Sequence, residues 1–304
     1  MKGRHILSVS DLSSQEIRSL LDMAIAIKAS EHRPSIAGAT VALVFEKPSL
    51  RTRVSFEVAI HQLDGYAIYL SRDQIGLGNR EPVEDTVKVL SRYVDALVIR
   101  TFEQATLEEM AQYSTIPVVN ALSNTEHPCQ ALGDLLTIVE KYGSLEKITL
   151  AYIGDGNNVA ASLALAATSV GMNFRIASPP GYGLPEEILQ HAKLFAEESG
   201  ASLACMESPE DAVSGSDVVY TDVWTSMGWE QEVDIRRKAF KGYQVNTSLL
   251  SRASSNALLL HPMPAHYGEE VPPGFLNHPQ SVAYQQAENR LHIQKALLAA
   301  ILAP

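Results

Sequence analysis

The segment Ser49-Leu50-Arg51-Thr52-Arg53 places two hydroxyls and two guanidiniums within five residues, between a buried-strand pattern and an amphipathic helix. Such groups, with the free N–H groups of a helix N-terminus, make a cradle for phosphate. A solvated helix cap carrying incidental arginines is the plainer alternative. No Gly-Lys dipeptide occurs in the chain, so this is not a Walker loop. Arg100 closes a second apolar run, Ile99-Arg100-Thr101-Phe102. His127-Pro128-Cys129-Gln130 opens a long helical pattern. An imidazole at a helix N-terminus tends to stay neutral and can still donate a hydrogen bond to a polarised carbonyl, although His-Pro is also an ordinary helix-start signal.

Gly154-Asp155-Gly156-Asn157-Asn158-Val159 follows a strand pattern and superficially offers a dinucleotide fingerprint. Val159 occupies the third glycine position, and the next strand ends Ala177-Ser178-Pro179 without an acid for a ribose, so a nicotinamide cofactor is the weaker reading. Asn157 and Asn158 instead present amides at a helix N-terminus, suited to an amino acid's carboxylate or amine. Asp222-Val223-Trp224-Thr225-Ser226-Met227-Gly228 carries one carboxylate and no cation until Arg236, which complements an ammonium group. In His261-Pro262-Met263-Pro264-Ala265-His266 the two histidines are expected to be unrelated, because no Cys or acidic ligand has matching metal-site spacing.

These segments need elements to hold them. Ser13 to Glu16 has capping-box spacing ahead of Ile17, Leu20, Leu21, Ala24 and Ile25, so a helix opens the chain. Strand-like runs follow at 40–45, 66–70, 96–99 and 117–120, with helical patterns near 53–63, 83–93, 105–113 and 128–142. A second series has strands near 148–154, 174–177, 202–205, 218–220 and 258–261, with helical patterns at 159–170, 185–198 and 233–240. Strands alternating with helices imply right-handed βαβ units, hence an α/β fold of two doubly wound parallel-sheet domains. Ligands of such sheets bind beyond the carboxyl ends of the strands, where the six segments lie. A last helix, 284–302, must dock on one of the two domains.

The chain has 304 residues, 46% of them apolar, which suits two domains of roughly 150 residues each. Lys+Arg number 24 against 35 Asp+Glu, a net charge of −11 with no basic run, so neither nucleic acid nor an anionic membrane is an expected partner. A small anion in a local pocket remains compatible with that balance. The two cysteines, Cys129 and Cys205, form neither a CxxC nor a zinc pattern. With no signal-peptide pattern and no apolar run near the ~20 residues of a membrane span, a soluble cytoplasmic protein is expected.

Taken in order, the segments resemble the aspartate/ornithine carbamoyltransferase family. The family's phosphate loop, Ser-Thr-Arg-Thr-Arg, is matched by Ser49-Leu50-Arg51-Thr52-Arg53, and its His-Pro-x-Gln by His127 to Gln130. The ornithine branch adds Gly-Asp-Gly-Asn-Asn at 154 to 158, Asp-x-x-x-Ser-Met-Gly at 222 to 228 and Gln-Ala-Glu-Asn-Arg at 286 to 290. The resemblance implies a carbamoyl-phosphate-binding domain formed by 1–143 with 284–304, the last helix returning to it, and an amino-acid (ornithine)-binding domain at 144–283. It implies transfer of the carbamoyl group of carbamoyl phosphate to the side-chain amine of L-ornithine, through a tetrahedral oxyanion, giving citrulline and phosphate in arginine metabolism. It also implies no metal or organic cofactor, and a homotrimer or a multiple of trimers with sites near subunit interfaces.

By the same resemblance Ser49, the Leu50 N–H, Arg51 and Thr52 would hold the phosphate. Arg100 and His127 would face the carbonyl oxygen, Gln130 would bind the carbamoyl amide, and Arg290 would complete a cationic ring that Arg53 is also expected to join. Asn158, Asp222, Ser226 and Met227 would hold the backbone groups of ornithine. Domain closure would exclude the water that hydrolyses carbamoyl phosphate.

The sequence departs from the pattern in places. The ornithine branch usually carries His-Cys-Leu-Pro, whose Cys contacts the reacting groups; here the segment reads His261-Pro262-Met263-Pro264, closer to the aspartate branch's His-Pro-Leu-Pro. Aspartate stays disfavoured as acceptor, because Asp222 and Ser-Met-Gly match the ornithine branch and the loop after Leu70 lacks the aspartate branch's lysine. Pro262 leaves open another amine acceptor, such as putrescine or a modified ornithine. A non-catalytic family homologue is the competing class, opposed by retention of Arg51, Arg100, His127, Gln130 and Arg290. Leu50 for Thr costs a hydroxyl but keeps the backbone donor. In the loop 71–80, which the family extends toward a neighbouring subunit's site, the register of Gln74 and Arg80 stays open.

Overall fold

The structure, a computed structural model, describes residues 1–76, 81–226 and 228–303. The chain enters through a 3-10 turn (Val9–Asp11) and α1 (Ser14–Lys28), where the expected capping box forms between Ser13 and Glu16. Then come β1 (Thr40–Phe45), α2 (Leu50–Gln62), β2 (Tyr66–Ser71), α3 (Arg72–Ile75), α4 (Val83–Leu90), β3 (Ala96–Arg100), α5 (Gln104–Tyr113), β4 (Val118–Leu122) and α6 (Pro128–Tyr142). The four strands are parallel in the order β2-β1-β3-β4. β1, β3 and β4 are near-continuous apolar runs, as strands covered on both faces must be; on one face Val44, Leu97 and Ile99 pack with Val87, Leu107 and Met110. The N-terminal segment covers the β4 edge: the Ile6 N–H donates to the Val118 carbonyl and the Asn120 N–H to the Ile6 carbonyl, both at 2.8 Å. The other edge, β2, exposes Tyr66 and Ile68.

The second series comprises β5 (Thr149–Ile153), α7 (Asn158–Ser169), β6 (Asn173–Ala177), α8 (Glu186–Ser199), β7 (Leu203–Met206), α9 (Pro209–Val213), β8 (Val218–Thr221), α10 (Val233–Ala239), α11 (Thr247–Leu250) and β9 (Leu258–Leu260), and α12 (Ala283–Leu302) ends the chain. Its five parallel strands run β7-β6-β5-β8-β9. The Ala- and Leu-rich α7 is buried from Val159 to Ser169, as a helix apolar on all sides should be.

The chain divides into two compact units, Met1–Leu136 with Glu288–Pro304, and Thr137–Ala287. The expected boundaries, 143/144 and 283/284, lie at the ends of α6 and α12; the units part inside those helices, each of which contributes a stretch to both. From Glu288 onward α12 belongs to the first unit. α3, α9 and α11, of four or five residues, were not expected, since helices this short carry no readable periodicity. α2 starts at Leu50 rather than near 53, so the Ser49–Arg53 segment is a helix cap plus the first helical turn. Each sheet reverses its direction of growth once, between β1 and β3 and between β5 and β8, the places where doubly wound sheets take ligands.

Candidate active site

In the first unit, the switch point gathers cations. Ser49 is the N-cap of α2, its Oγ accepting from the Thr52 N–H at 3.2 Å while its own hydroxyl proton stays available for donation. Leu50 exposes its side chain and places its N–H at the helix start. Arg100 ends β3 in a buried position, and its Nε has no hydrogen-bond partner among the described residues. Glu46 ties the two loops together, its N–H donating to the Arg100 carbonyl at 2.9 Å and its carboxylate accepting from the Thr101 hydroxyl. Arg290 arrives on α12 and donates from Nη2 to Thr52 Oγ1 at 2.7 Å. Gly133 on α6 permits that approach, because a Cβ there would lie 3.3 Å from Arg290 Cγ and 3.5 Å from its backbone. His127 is buried just before α6, and Gln130 donates from Nε2 to Asp134 Oδ1 at 2.8 Å, leaving Oε1 as an acceptor.

The electrostatics follow from that crowding. Burial, then Arg290 and Arg51, push the Arg100 guanidinium down to about 9. Burial, then Arg290 and Arg100, hold His127 well below the usual imidazole range, so it is neutral. Burial also lowers Arg51. The arrangement is a preorganised positive field around a neutral N–H donor, suited to a small anion and to a developing oxyanion.

One expectation fails here. Arg53 is not in the cluster: its Nε donates to Glu57 at 2.9 Å and its guanidinium lies 3.7 Å over the Tyr69 ring. Two residues along a helix turn a side chain through roughly 200°, so Arg51 and Arg53 leave α2 on different faces. Gln74 also serves locally, accepting from the Ser71 N–H at 2.9 Å. Arg80 lies outside the described residues.

In the second unit, the switch point gathers carboxylates. Asp222 follows β8 in a buried position; its Oδ2 accepts from Asn157 Nδ2 at 2.8 Å and its Oδ1 from the Val223 N–H at 2.8 Å. Burial pushes its carboxyl up, opposed by His261, Asn157 and the Val223 N–H. Arg236 is spent on its neighbours, Asp155 at 2.7 Å and the Trp224 carbonyl at 3.0 Å. Asn158 begins α7, half-buried, and Ser226 Oγ is 3.4 Å from Asn157 Nδ2. Met227 lies outside the described residues. Gly156 has no room for a side chain, since a Cβ would meet the Gly183 backbone carbon at 2.3 Å. The close approach that this glycine permits is therefore to the chain itself.

Two further corrections concern this unit. Asn157 does not present its amide to a ligand, because its Oδ1 caps α7 and its Nδ2 holds Asp222. The histidines 261 and 266 are not unrelated: Glu270 Oε1 bonds His261 Nε2 at 3.1 Å and accepts from the His266 N–H at 2.6 Å. Nδ1 of His261 accepts from the Met263 N–H at 2.9 Å, so the ring proton sits on Nε2 and donates to Glu270. Among the described residues, His266, Glu269 and Glu270 are the one group whose donor atoms could surround a cation. Arg237 already bonds Glu269, and His261 already bonds Glu270. Pro262 is buried beside His261. Spacing gave no sign of Glu46, Gly133 or Glu270; Asn157 was readable as an N-cap, from its place before a helical run.

The sequence model of the aspartate/ornithine carbamoyltransferase carbamoyl-P binding domain matches residues 4–140, and that of the family's Asp/Orn binding domain matches residues 146–301. An ornithine carbamoyltransferase of Anoxybacillus flavithermus is 49% identical over 99% of this chain and 98% of its own. The anabolic ornithine carbamoyltransferase of Pyrococcus furiosus is 45% identical over 99% and 97%. The solved structure of ornithine carbamoyltransferase from Pyrococcus furiosus has a TM-score of 0.95 to this chain at 44% identity, covering 99% of this chain and 97% of that one. With both domain models matched in order and full-length relatives at this identity, the chain belongs to the aspartate/ornithine carbamoyltransferase family.

Proposed function

We propose that this chain transfers the carbamoyl group of carbamoyl phosphate to the side-chain amine of L-ornithine, giving citrulline and phosphate in the anabolic direction. The observation that carries the reading is the opposite chemistry of the two switch points, guanidiniums around a neutral imidazole in one unit and a buried, hydrogen-bonded carboxylate in the other. The first suits a phosphate dianion and a carbonyl gaining negative charge; the second suits an amino acid's ammonium group.

In this reading the Ser49 and Thr52 hydroxyls, the Leu50 N–H and Arg51 hold the phosphate at the start of α2. Gln130 Oε1, left free to accept by the bond to Asp134, takes the carbamoyl NH2. The unprotonated side-chain amine attacks the carbonyl carbon, and its electron pair forms the new C–N bond. Negative charge moves onto the carbonyl oxygen, where Arg100 and neutral His127 donate; one such preorganised donor is worth roughly 3 to 4 kcal/mol. Collapse of the tetrahedral adduct breaks the C–O bond to phosphate, which leaves with the electron pair toward Arg51 and Arg290 and takes up the proton that the attacking amine loses, departing as hydrogen phosphate. Asn158, Asp222, Ser226 and Met227 hold the acceptor's backbone groups.

The reading extends to a trimer-based homo-oligomer in the cytoplasm. The open β2 edge, with Tyr66 66% and Ile68 37% exposed, offers an apolar surface to a second copy, and both cysteines are unpaired thiols.

Purified protein with carbamoyl phosphate and a panel of amines tests the activity: citrulline from ornithine is expected. Carbamoylation of putrescine or a modified ornithine without citrulline would overturn the acceptor, the outcome that Pro262 leaves open. Light scattering on the eluted protein should give a trimer mass or a multiple of it; a monomer would refute the assembly.

A further inference from the structure

We propose that Asn157 is a positioning residue for the acceptor's ammonium group, its amide anchored to the start of α7 and holding Asp222 as an ionised acceptor. The inference rests on the reading of Asp222 as the acceptor-binding carboxylate. Asn157 Oδ1 accepts from the Val159 and Ala160 N–H groups at 3.0 Å each and from the Tyr152 hydroxyl at 3.3 Å. Nδ2 donates to Asp222 Oδ2 at 2.8 Å and lies 3.4 Å from Ser226 Oγ. A flipped amide would set its NH2 against two backbone donors, so the helix N-terminus fixes which end faces Asp222.

An amide nitrogen can only donate, so Asp222 Oδ2 accepts this bond and Oδ1 accepts from the Val223 N–H; both bonds are stronger to the carboxylate than to the protonated acid, and so favour the ionised form. Of the ionisable groups facing Asp222, Glu270 and Asp155 add negative charge and His261 opposes it, while burial itself disfavours the carboxylate. Asn157 donates to Asp222 and so favours the carboxylate against burial, and it reaches toward Ser226, a second expected acceptor contact, from the same nitrogen. The helix cap thereby also sets the geometry of the binding carboxylate.

Two variants separate this role from capping alone. Asn157→Ser retains a good N-cap but is too short to donate to Asp222; Asn157→Asp retains the cap and brings a second carboxylate against Asp222. Each should fold, bind carbamoyl phosphate within about twofold of the parent, and raise the KM for ornithine by about tenfold or more, the weight of a hydrogen bond to a charged group. Without the donor the Asp222 carboxyl holds its proton to higher pH, so the acidic limb of kcat/KM for ornithine moves to higher pH, farther in Asn157→Asp. Loss of a cap alone would lower Tm without moving that limb. An unchanged KM and acidic limb in Asn157→Ser would overturn the role. A carbon-13 NMR titration of the Asp222 carboxyl, assigned with Asp222→Asn, reads the same property without turnover: its midpoint should rise in both variants, and an unmoved midpoint would overturn the inference. If the parent makes no citrulline, the proposed acceptor fails and this titration still decides the role of Asn157.

Discussion

Beyond β1 and β3 the first unit sets Arg51, Arg100 and Arg290 around a neutral His127; beyond β5 and β8 the second sets Asp222 under Asn157, with Asp155 held by Arg236. Both places are switch points of a parallel sheet, and each has a helix starting beside it. The caps differ in what they leave over. Ser49 spends its oxygen on α2 and keeps a hydroxyl donor, whereas Asn157 spends both ends of its amide, one on α7 and one on Asp222. In each unit burial presses the functional group away from its charged form, Arg100 down to about 9 and Asp222 upward. The topology sets where a ligand goes and the side chains set its sign. Both sites hold a charge that costs free energy until a ligand of opposite sign arrives.

The most severe test of this symmetry is Arg100→Met. Kinetics should show kcat/KM falling by about 10² to 10³, as for loss of one oxyanion donor. Calorimetry of the unliganded protein should show a higher Tm, because a buried guanidinium with an unpartnered Nε is replaced by an apolar side chain of similar length. A lower Tm would mean that the cation is satisfied in the empty protein.

Asp222→Asn is the mirror experiment, and the expected effect is smaller. The KM for ornithine should rise by about 10- to 100-fold, carbamoyl-phosphate affinity should stay within about twofold, and the unliganded Tm should not fall. If carbamoyl-phosphate affinity falls in step with the acceptor's, the separation of charge between the units is wrong.

The two halves were not equally legible in the sequence. Residues 41–45 and 96–99 are unbroken apolar runs, so the strands and the loops after them could be placed within a residue or two. Side-chain direction within those loops could not. Arg51 and Arg53 look equivalent as residue types, and the helix starting at Leu50 rather than near 53 sends them to different faces. Asn157 and Asn158 look equivalent as amides, and only the hydrogen-bond count shows that the first is consumed. Glu270 was invisible, because it acts through tertiary contact with His261 and His266 and carries no spacing signal. Motifs located the chemistry, and helix phase decided which members of each motif take part.

Acid titration sharpens the comparison at a scale of about 1 kcal/mol. His127 is held below its ordinary value by burial, Arg290 and Arg100. Below the unfolded pKa of about 6.5 the unfolded chain takes up a proton that the folded protein refuses, so stability falls with pH, by at most about 1.4 kcal/mol per unit for this one group. Asp222 has the opposite sign: its folded pKa is raised, so its contribution is present below the unfolded value and is lost as pH rises through the folded one. Urea unfolding at pH 7.5 and 5.5 should therefore show a smaller loss in His127→Asn than in the parent. Identical pH dependence in parent and His127→Asn would remove the claim that the cationic cluster keeps the imidazole neutral.

The smallest expected effect tests the boundary of the cationic site. Arg53 is paired with Glu57 one turn along α2, stacked on Tyr69 and largely exposed, so an i,i+4 surface pair is its main electrostatic asset. Arg53→Ala should change stability by no more than about 0.5 kcal/mol and leave carbamoyl-phosphate affinity within about twofold. Arg51→Ala, two residues away, should abolish binding of the same ligand in the same calorimetric titration. A tenfold loss of affinity in Arg53→Ala would place its guanidinium in the phosphate cradle, and the face that α2 turns toward the ligand would then have to extend past Arg51 and Thr52 to Arg53.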